Sequence, residues 1–486
     1  ASNNTAVGRE ALTANTTGAN NNALGANSLD ANTTGSHNVA VGRNALGANT
    51  TASENTALGH ETLAANTTGA YNVAIGSSAL DANTTASNNT AVGYLALSAN
   101  TTGTPNVAVG YQALLANTTG VDNTAVGFDA LKTNTTTGGN TAFGSEALRA
   151  NVGGSNTAVG NEAMYGNTTG NNCTAVGNTA LDAINTGDSN TAIGSGAMGN
   201  NTSGAYNTAL GSACLVANST ADFNIAIGYQ ALEQSTTGHS NVAIGAASMN
   251  ACTTGLTNVA VGRGSLDALT DSELNVGIGN NALGAVTTGD FNVGVGSDTG
   301  NYTVLLATGT RNICMGSYAH TSATDSTNQH VFGYNVVGSG DSTFTFGSGT
   351  SDTTCTFGGT TWSAPSDIRM KENIEDAEAG LSFINDLRPV TFKWKKEKDI
   401  SEELGAYKAD SEKRYNNDTV NHGFIAQEVK EVIDNHPEIK EGFDFWSEDD
   451  IDGRQRVGAS ALEIVLTKAI QELSAKVEVL ENNNKE

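Results

Sequence analysis

Small and apolar residues recur along the first 300 positions at a fixed spacing, and such repeats set the fold before any single motif does. A glycine closing an Asn-x-Ala-(Val/Ile)-Gly run marks each unit. It stands at Gly8, Gly25, Gly42 and onward to Gly144 in steps of 17, and then, after one step of 16, at Gly160 and onward to Gly296. That makes eighteen copies, with weaker echoes at Gly316 and Gly333. The consensus is N-(T/V)-A-(V/I)-G-x-x-A-L-x-A-N-T-T-G-x-x. Seventeen residues are too few for a helical pair. The β-branched content, the glycines and the Thr-Thr-Gly turns predict two strands of four or five residues and two turns per unit. The predicted fold is mostly β, a parallel β-roll or solenoid. Eighteen coils at about 4.8 Å would give a rod about 85 Å long.

Side-chain alternation along a strand divides the unit into faces. The residue before each marker is Val, Ile, Leu or Phe (Val7, Leu24, Val41), and Leu or Met follows four after it (Leu12, Leu29, Met164). These two rows are expected to stack as aliphatic ladders inside the coil. Ala6, Ala23, Ala40 and their equivalents then face outward, where a neighbouring chain would pack closely. Four residues before the marker stands Asn in seventeen of eighteen copies, Cys173 being the exception. Stacked amides can bond one another up the axis. The other reading is a ligand-binding row, but internal satisfaction of a solenoid favours the ladder.

From Gly300 to Trp362 the period breaks. Thr303–Ala307, Val331–Tyr334, Thr343–Phe346 and Thr354–Phe357 still read as short strands, and residues 300–362 are taken as a β-rich connector, with a receptor-binding knob as the alternative. At Ser363 the composition shifts. Residues 1–362 carry 6 Lys/Arg and 21 Asp/Glu, leaving 17 and 28 of the totals of 23 and 49 for residues 363–486. The acidic balance, −26 overall, speaks against a nucleic-acid partner. No apolar run suggests membrane insertion, and no cofactor or metal motif is present. The run Glu448-x-Asp450-x-Asp452-Gly453 opens like a calcium loop, but its twelfth position is Ala459 rather than Glu. Five widely spaced cysteines fit neither a disulfide framework nor a zinc site and read as small fillers. The chain starts in mid-pattern at Ala1, so an upstream segment is expected.

The repeats resemble the head repeats of trimeric autotransporter adhesins over about residues 1–300. That resemblance implies a left-handed parallel roll assembled as a homotrimer. Three blocks follow in order, SAPSDIRMKENI (363–374), LSFINDLRPVTFKWK (381–395) and HGFIAQEVKEVI (422–433). Together they resemble the intramolecular chaperone domain of phage endosialidases, tail fibres and tailspikes, which implies an α+β chaperone and autoprotease over residues 363–486. By that resemblance the domain is released by cleavage between Pro365 and Ser366, with Ser366 as nucleophile, Lys371 as base, and His422 as a candidate orienting group. The chemistry stands on its own terms: a serine hydroxyl needs a base, and a lysine serves only when burial favours its neutral amine. The competing reading makes Ser366 and Asp367 a helix N-cap.

The last stretch is helical. Leu466, Ile470, Leu473, Val477 and Leu480 fall at heptad spacing and predict a terminal coiled coil over about 459–482. The resemblance implies a host-recognising phage tail fibre, located in the virion, whose homotrimer meets a host surface receptor such as a glycan. Tyr71, Tyr94, Tyr111, Phe128, Tyr206 and Tyr229 are the candidate contacts. A bacterial surface adhesin and a glycan-degrading tailspike are the alternatives.

Overall fold

Each 17-residue unit closes one coil of a parallel β-solenoid. The structure, a computed structural model, describes residues 2–184, 186–364, 366–439, 443–448, 453–458 and 460–484. It divides into two compact units, Ala1–Pro365 and Ser366–Glu486. In the first, β1 (Thr5–Val7) pairs in parallel with β2 (Asn22–Leu24), Ala6 opposite Ala23. The same register runs coil by coil to β18 (Val293–Val295). The one 16-residue step is absorbed in a turn, where Asn151-Val-Gly replaces Asn-Thr-Thr-Gly, and Ala158 still faces Ala142.

The coil differs from expectation in two ways. It has one strand of three or four residues where two of four or five were predicted, and the remainder is a chain of turns. The Ala-Leu segment leaves the β region because its leucine takes positive φ, as at Leu29 (50°) and Leu46 (54°). Such a conformation costs a side-chain-bearing residue of order 1–3 kcal/mol. Burial of the leucine, worth about 1.5–3 kcal/mol, offsets it.

The second difference is the facing of the strand. The alanine row lies inside and the β-branched row outside: Ala23 is 1% exposed and Leu24 51%. The inside is thus built from two rows of alanine and one of leucine or methionine, such as Ala40, Ala45 and Leu46. A coil this narrow has room for a methyl group opposite the leucines and none for a branched side chain, so the expected assignment is reversed. The marker glycine is obligatory for a related reason. Gly25 has φ +141°, and a Cβ there would lie 2.4 Å from the carbonyl oxygen of Gly42 in the next coil.

The amide ladder is present, in a form richer than stacked side chains. Asn21 Oδ1 accepts the backbone N–H of Asn38 at 3.0 Å, and Asn38 Nδ2 donates to Ala52 O at 2.9 Å. A second asparagine row, seven residues after the marker, bonds side chain to side chain. Asn83 Nδ2 donates to Asn66 Oδ1 (2.9 Å), and Asn100 Nδ2 to Asn83 Oδ1 (3.0 Å). All five cysteines are free and buried. Burial pushes the Cys214 and Cys314 thiols up to about 12 and Cys252 to about 11.

The sheet does not stop at residue 300. β19 (Ile313–Met315) and β20 (His330–Tyr334) add further parallel strands, followed by β21 (Thr343–Ser348). β22 (Ser351–Thr356) folds back antiparallel on β21, which closes a sheet of 22 strands among the described residues. Of the four runs expected as strands, Thr303–Ala307 is not one. It holds one end of an isolated bridge between Asn301 and Leu305, where the 20-residue step from Gly296 to Gly316 takes up its extra length.

The second unit is a small α+β fold. α1 (Leu381–Asp386), α2 (Ala426–Asn435) and α3 (Ser460–Asn483) accompany two antiparallel pairs. These are β23 (Val390–Phe392) with β24 (Asn421–Gly423), and β25 (Trp446–Glu448) with β26 (Gln455–Val457). Phe383, Val429, Ile433, Phe445 and Val465 form its core. Glu472 of α3 caps α1, accepting from Leu381 N at 2.9 Å. On α3, Val465 and Ala469 are buried, whereas the heptad stripe Leu466, Ile470, Leu473, Val477 and Leu480 is exposed. Residue 459, the predicted start of the coiled coil, lies outside the described residues. Among those residues no helix is long and apolar enough to cross a membrane.

Candidate active site

The first residues of the second unit contain one tight turn. Asp367 caps it: its Oδ1 accepts the backbone N–H of Arg369 at 2.8 Å and the Arg369 Nε at 3.0 Å. The side-chain bond from Arg369 holds the Asp367 carboxyl below its usual range, helped by the backbone bond. Residues Ile368–Met370 form a single 3-10 turn, and Lys371 N donates back to Ile368 O at 3.2 Å. Fully extended, five residues would separate their ends by about 17 Å. The turn instead returns the lysine side chain onto the serine, and Lys371 Nζ donates to Ser366 Oγ at 2.6 Å.

The capping and nucleophile readings of this segment therefore fall on different residues. Asp367 makes the cap, while the Ser366 hydroxyl faces the amine. Both members of the pair are exposed to solvent. In this contact lysine donates. For it to accept the serine proton, the amine must first lose its own, which an aqueous setting disfavours and a desolvated one favours. Pro365, on the other side of the expected scissile bond, lies outside the described residues.

His422 makes no hydrogen bond with this pair among the described residues. It sits on β24 opposite Thr391, exposed, and among the described residues its side chain makes no hydrogen bond. The histidine that is held in place is His436, which sequence reasoning passed over. Its Nε2 lies 3.0 Å from Asp386 Oδ2 and its Nδ1 2.8 Å from Glu438 Oε1, with the ring edge-on to Phe383. The Asp386 carboxylate, then that of Glu438, raises its pKa. No local spacing signals this cluster, since Asp386 is 50 residues away. The Asp-x-Arg clamp that shapes the turn lies inside the SAPSDIRMKENI block as a spacing of two, a pattern that does not by itself reveal its role. The acidic run starting at Glu448 continues through residues 449–452, outside the described residues.

Two features define the class: a parallel β-solenoid of 17-residue coils, and a separate α+β unit that opens on a serine–lysine pair. Residues 366–436 of that unit match the family described as chaperone of endosialidase. The match starts at Ser366 itself and ends at His436. No curated protein and no solved structure matches the chain.

Proposed function

We propose that this chain is a homotrimeric tail-fibre segment of a bacteriophage whose C-terminal unit chaperones assembly and then releases itself. The observation that carries the reading is the 2.6 Å contact between Lys371 Nζ and Ser366 Oγ, at the first residue of the chaperone-like match. The neutral Lys371 amine takes the hydroxyl proton as Ser366 Oγ attacks the carbonyl carbon of residue 365. The C–N bond to Ser366 breaks as that proton passes to the leaving nitrogen. Water then hydrolyses the resulting ester, leaving a carboxylate at residue 365 and a free amine at Ser366. His422 takes no part in this scheme.

Support for self-association comes from two unpartnered apolar surfaces. One is the outward strand face of the rod, where Val7, Leu24, Leu58 and Ile75 lie exposed and the intervening Val41 is half-buried. The other is the heptad stripe of α3. Exposed apolar surface of this extent marks an interface. For host contact, the candidate aromatics are all exposed, Tyr71 at 63%. Tyr94, Tyr111 and Phe128 stack in a column, with centroids 5.6 and 5.2 Å apart, so their ring faces are largely spent on one another. Tyr71 and Tyr229, which no neighbouring ring covers among the described residues, are the better glycan-stacking candidates.

The test is the intact mass of the assembled protein. Cleavage yields a C-terminal fragment of 121 residues beginning at Ser366. Ser366→Ala, Lys371→Ala and Lys371→Arg each give a full-length trimer, the last because guanidinium stays protonated. Cleavage in Ser366→Ala refutes the dyad.

A further inference from the structure

The residues around the dyad form a strap with an unusual surface. Residues 371–378 are all exposed and without regular structure, until Ala379 enters the core. The strap carries three large apolar side chains in the open, Ile368 (72% exposed), Met370 and Ile374. Between and after them come four acids, Glu372, Glu375, Asp376 and Glu378. A segment held in water for its own sake would not display Ile and Met at this density.

Elsewhere in the same unit a groove of about 1030 Å³ has the opposite character. Its walls are apolar, with Phe392, Trp394, Tyr415 and Phe445 among them, and it is larger than most small-molecule sites. Lys393 and Lys395 line it, as do Arg454 and Arg456, which have partners of their own, and among the described residues no acid does. The indole N–H of Trp394 is buried without an acceptor among the described residues, and a backbone carbonyl of an incoming chain could supply one. β23 and β26, which contribute to the walls, belong to sheets of two strands among the described residues, so extended backbone can pair at their edges.

We infer that this groove receives the 366–378 strap of a second copy, and that seating the strap is what strips water from Lys371 and lets it act as a base. The inference rests on the dyad reading and adds the switch to it. Ile368, Met370 and Ile374 supply the apolar fit, and the four acids meet Lys393 and Lys395. A second copy is the occupant because each chain leaves its own strap in solvent. Residues 371–378, which have no regular structure, reach about 26 Å when extended, enough to carry the turn away from its own core. Lys371 lies between Met370 and Ile374, so whatever covers those side chains covers the amine.

The experiment uses the full chain in differently tagged forms, with cleavage read by mass. Lys393→Glu/Lys395→Glu alone is expected to form trimers whose cleaved fraction falls at least tenfold. Adding Glu375→Lys/Asp376→Lys to the same chain restores cleavage by reversing both partners. The decisive arm co-expresses the groove variant with Ser366→Ala, neither of which cuts alone. In mixed trimers the groove-variant chain, with its intact dyad and strap, is cut by docking in the intact groove of its neighbour. Wild-type cleavage by the groove variant alone, absence of rescue by the reversed strap, or an uncut groove-variant chain in mixed trimers each overturns the inference. The dyad reading fails separately, if wild-type trimers never cut or Ser366→Ala still does.

Discussion

Replacing one rung of the second asparagine row isolates what the ladder contributes. In Asn83→Leu the side chain that accepts from Asn100 Nδ2 (3.0 Å) and donates to Asn66 Oδ1 (2.9 Å) is lost. Ala86 O keeps a donor in Asn72 Nδ2 (2.9 Å), and Asn100 Nδ2 keeps Gly103 O (3.1 Å). Two buried groups lose a partner, at about 1–3 kcal/mol each, so the substitution should cost about 2–6 kcal/mol. The array itself points to the lower end: where Ile184 interrupts the row, Asn167 Oδ1 accepts Gly170 N at 3.1 Å instead. The triple variant Asn66→Leu/Asn83→Leu/Asn100→Leu again strands only two groups, Asn49 Oδ1 and Asn117 Nδ2, which those residues paired at 3.2 and 3.0 Å. Leu269 and Val286 already occupy this row fully buried, so the apolar side chains fit. The triple should therefore cost about as much as the single. Guanidinium unfolding followed by circular dichroism, with amide exchange across coils 4 to 7, measures both. A triple cost near three times the single would refute the ladder argument.

Gly110→Ala places a Cβ 2.2 Å from Gly127 O at φ +138° and should destabilise the rod by more than about 1 kcal/mol, read as a lowered unfolding midpoint. The five buried thiols should not react with an aromatic disulfide reagent at pH 8 until the rod is denatured. His436 has a raised pKa, so its contribution is complete below about pH 6.5, its ordinary value, and is lost as pH rises through the higher folded one. The C-terminal unit should accordingly unfold at lower urea at pH 8.5 than at pH 6. His436→Gln should flatten that dependence, and an unchanged profile would exclude the Asp386–His436–Glu438 cluster as its source.

The sequence alone determined the period, the parallel stacking and the internal amide row, because each follows from identical residues returning at one spacing. It also placed Ser366 and Lys371 within one short segment, and the heptad stripe on a terminal helix. It did not determine which face of the strand is the inside. Alternation assigns Ala23 and Leu24 to opposite faces but not to core or solvent. Hydrophobicity favours Leu24 for the interior, whereas the width of the closed coil admits only the methyl group. Nor could spacing reveal that Leu29 sits at positive φ, since the burial that offsets its strain exists only once the coil closes. In the second unit, Asp386 reaches His436 and Glu472 caps Leu381 across 50 and 91 residues, contacts that only tertiary packing creates. The proximity of Lys371 to Ser366 lies between these cases. The spacing permitted it, and the Asp367–Arg369 clamp decided it by folding the chain into the turn that brings amine to hydroxyl.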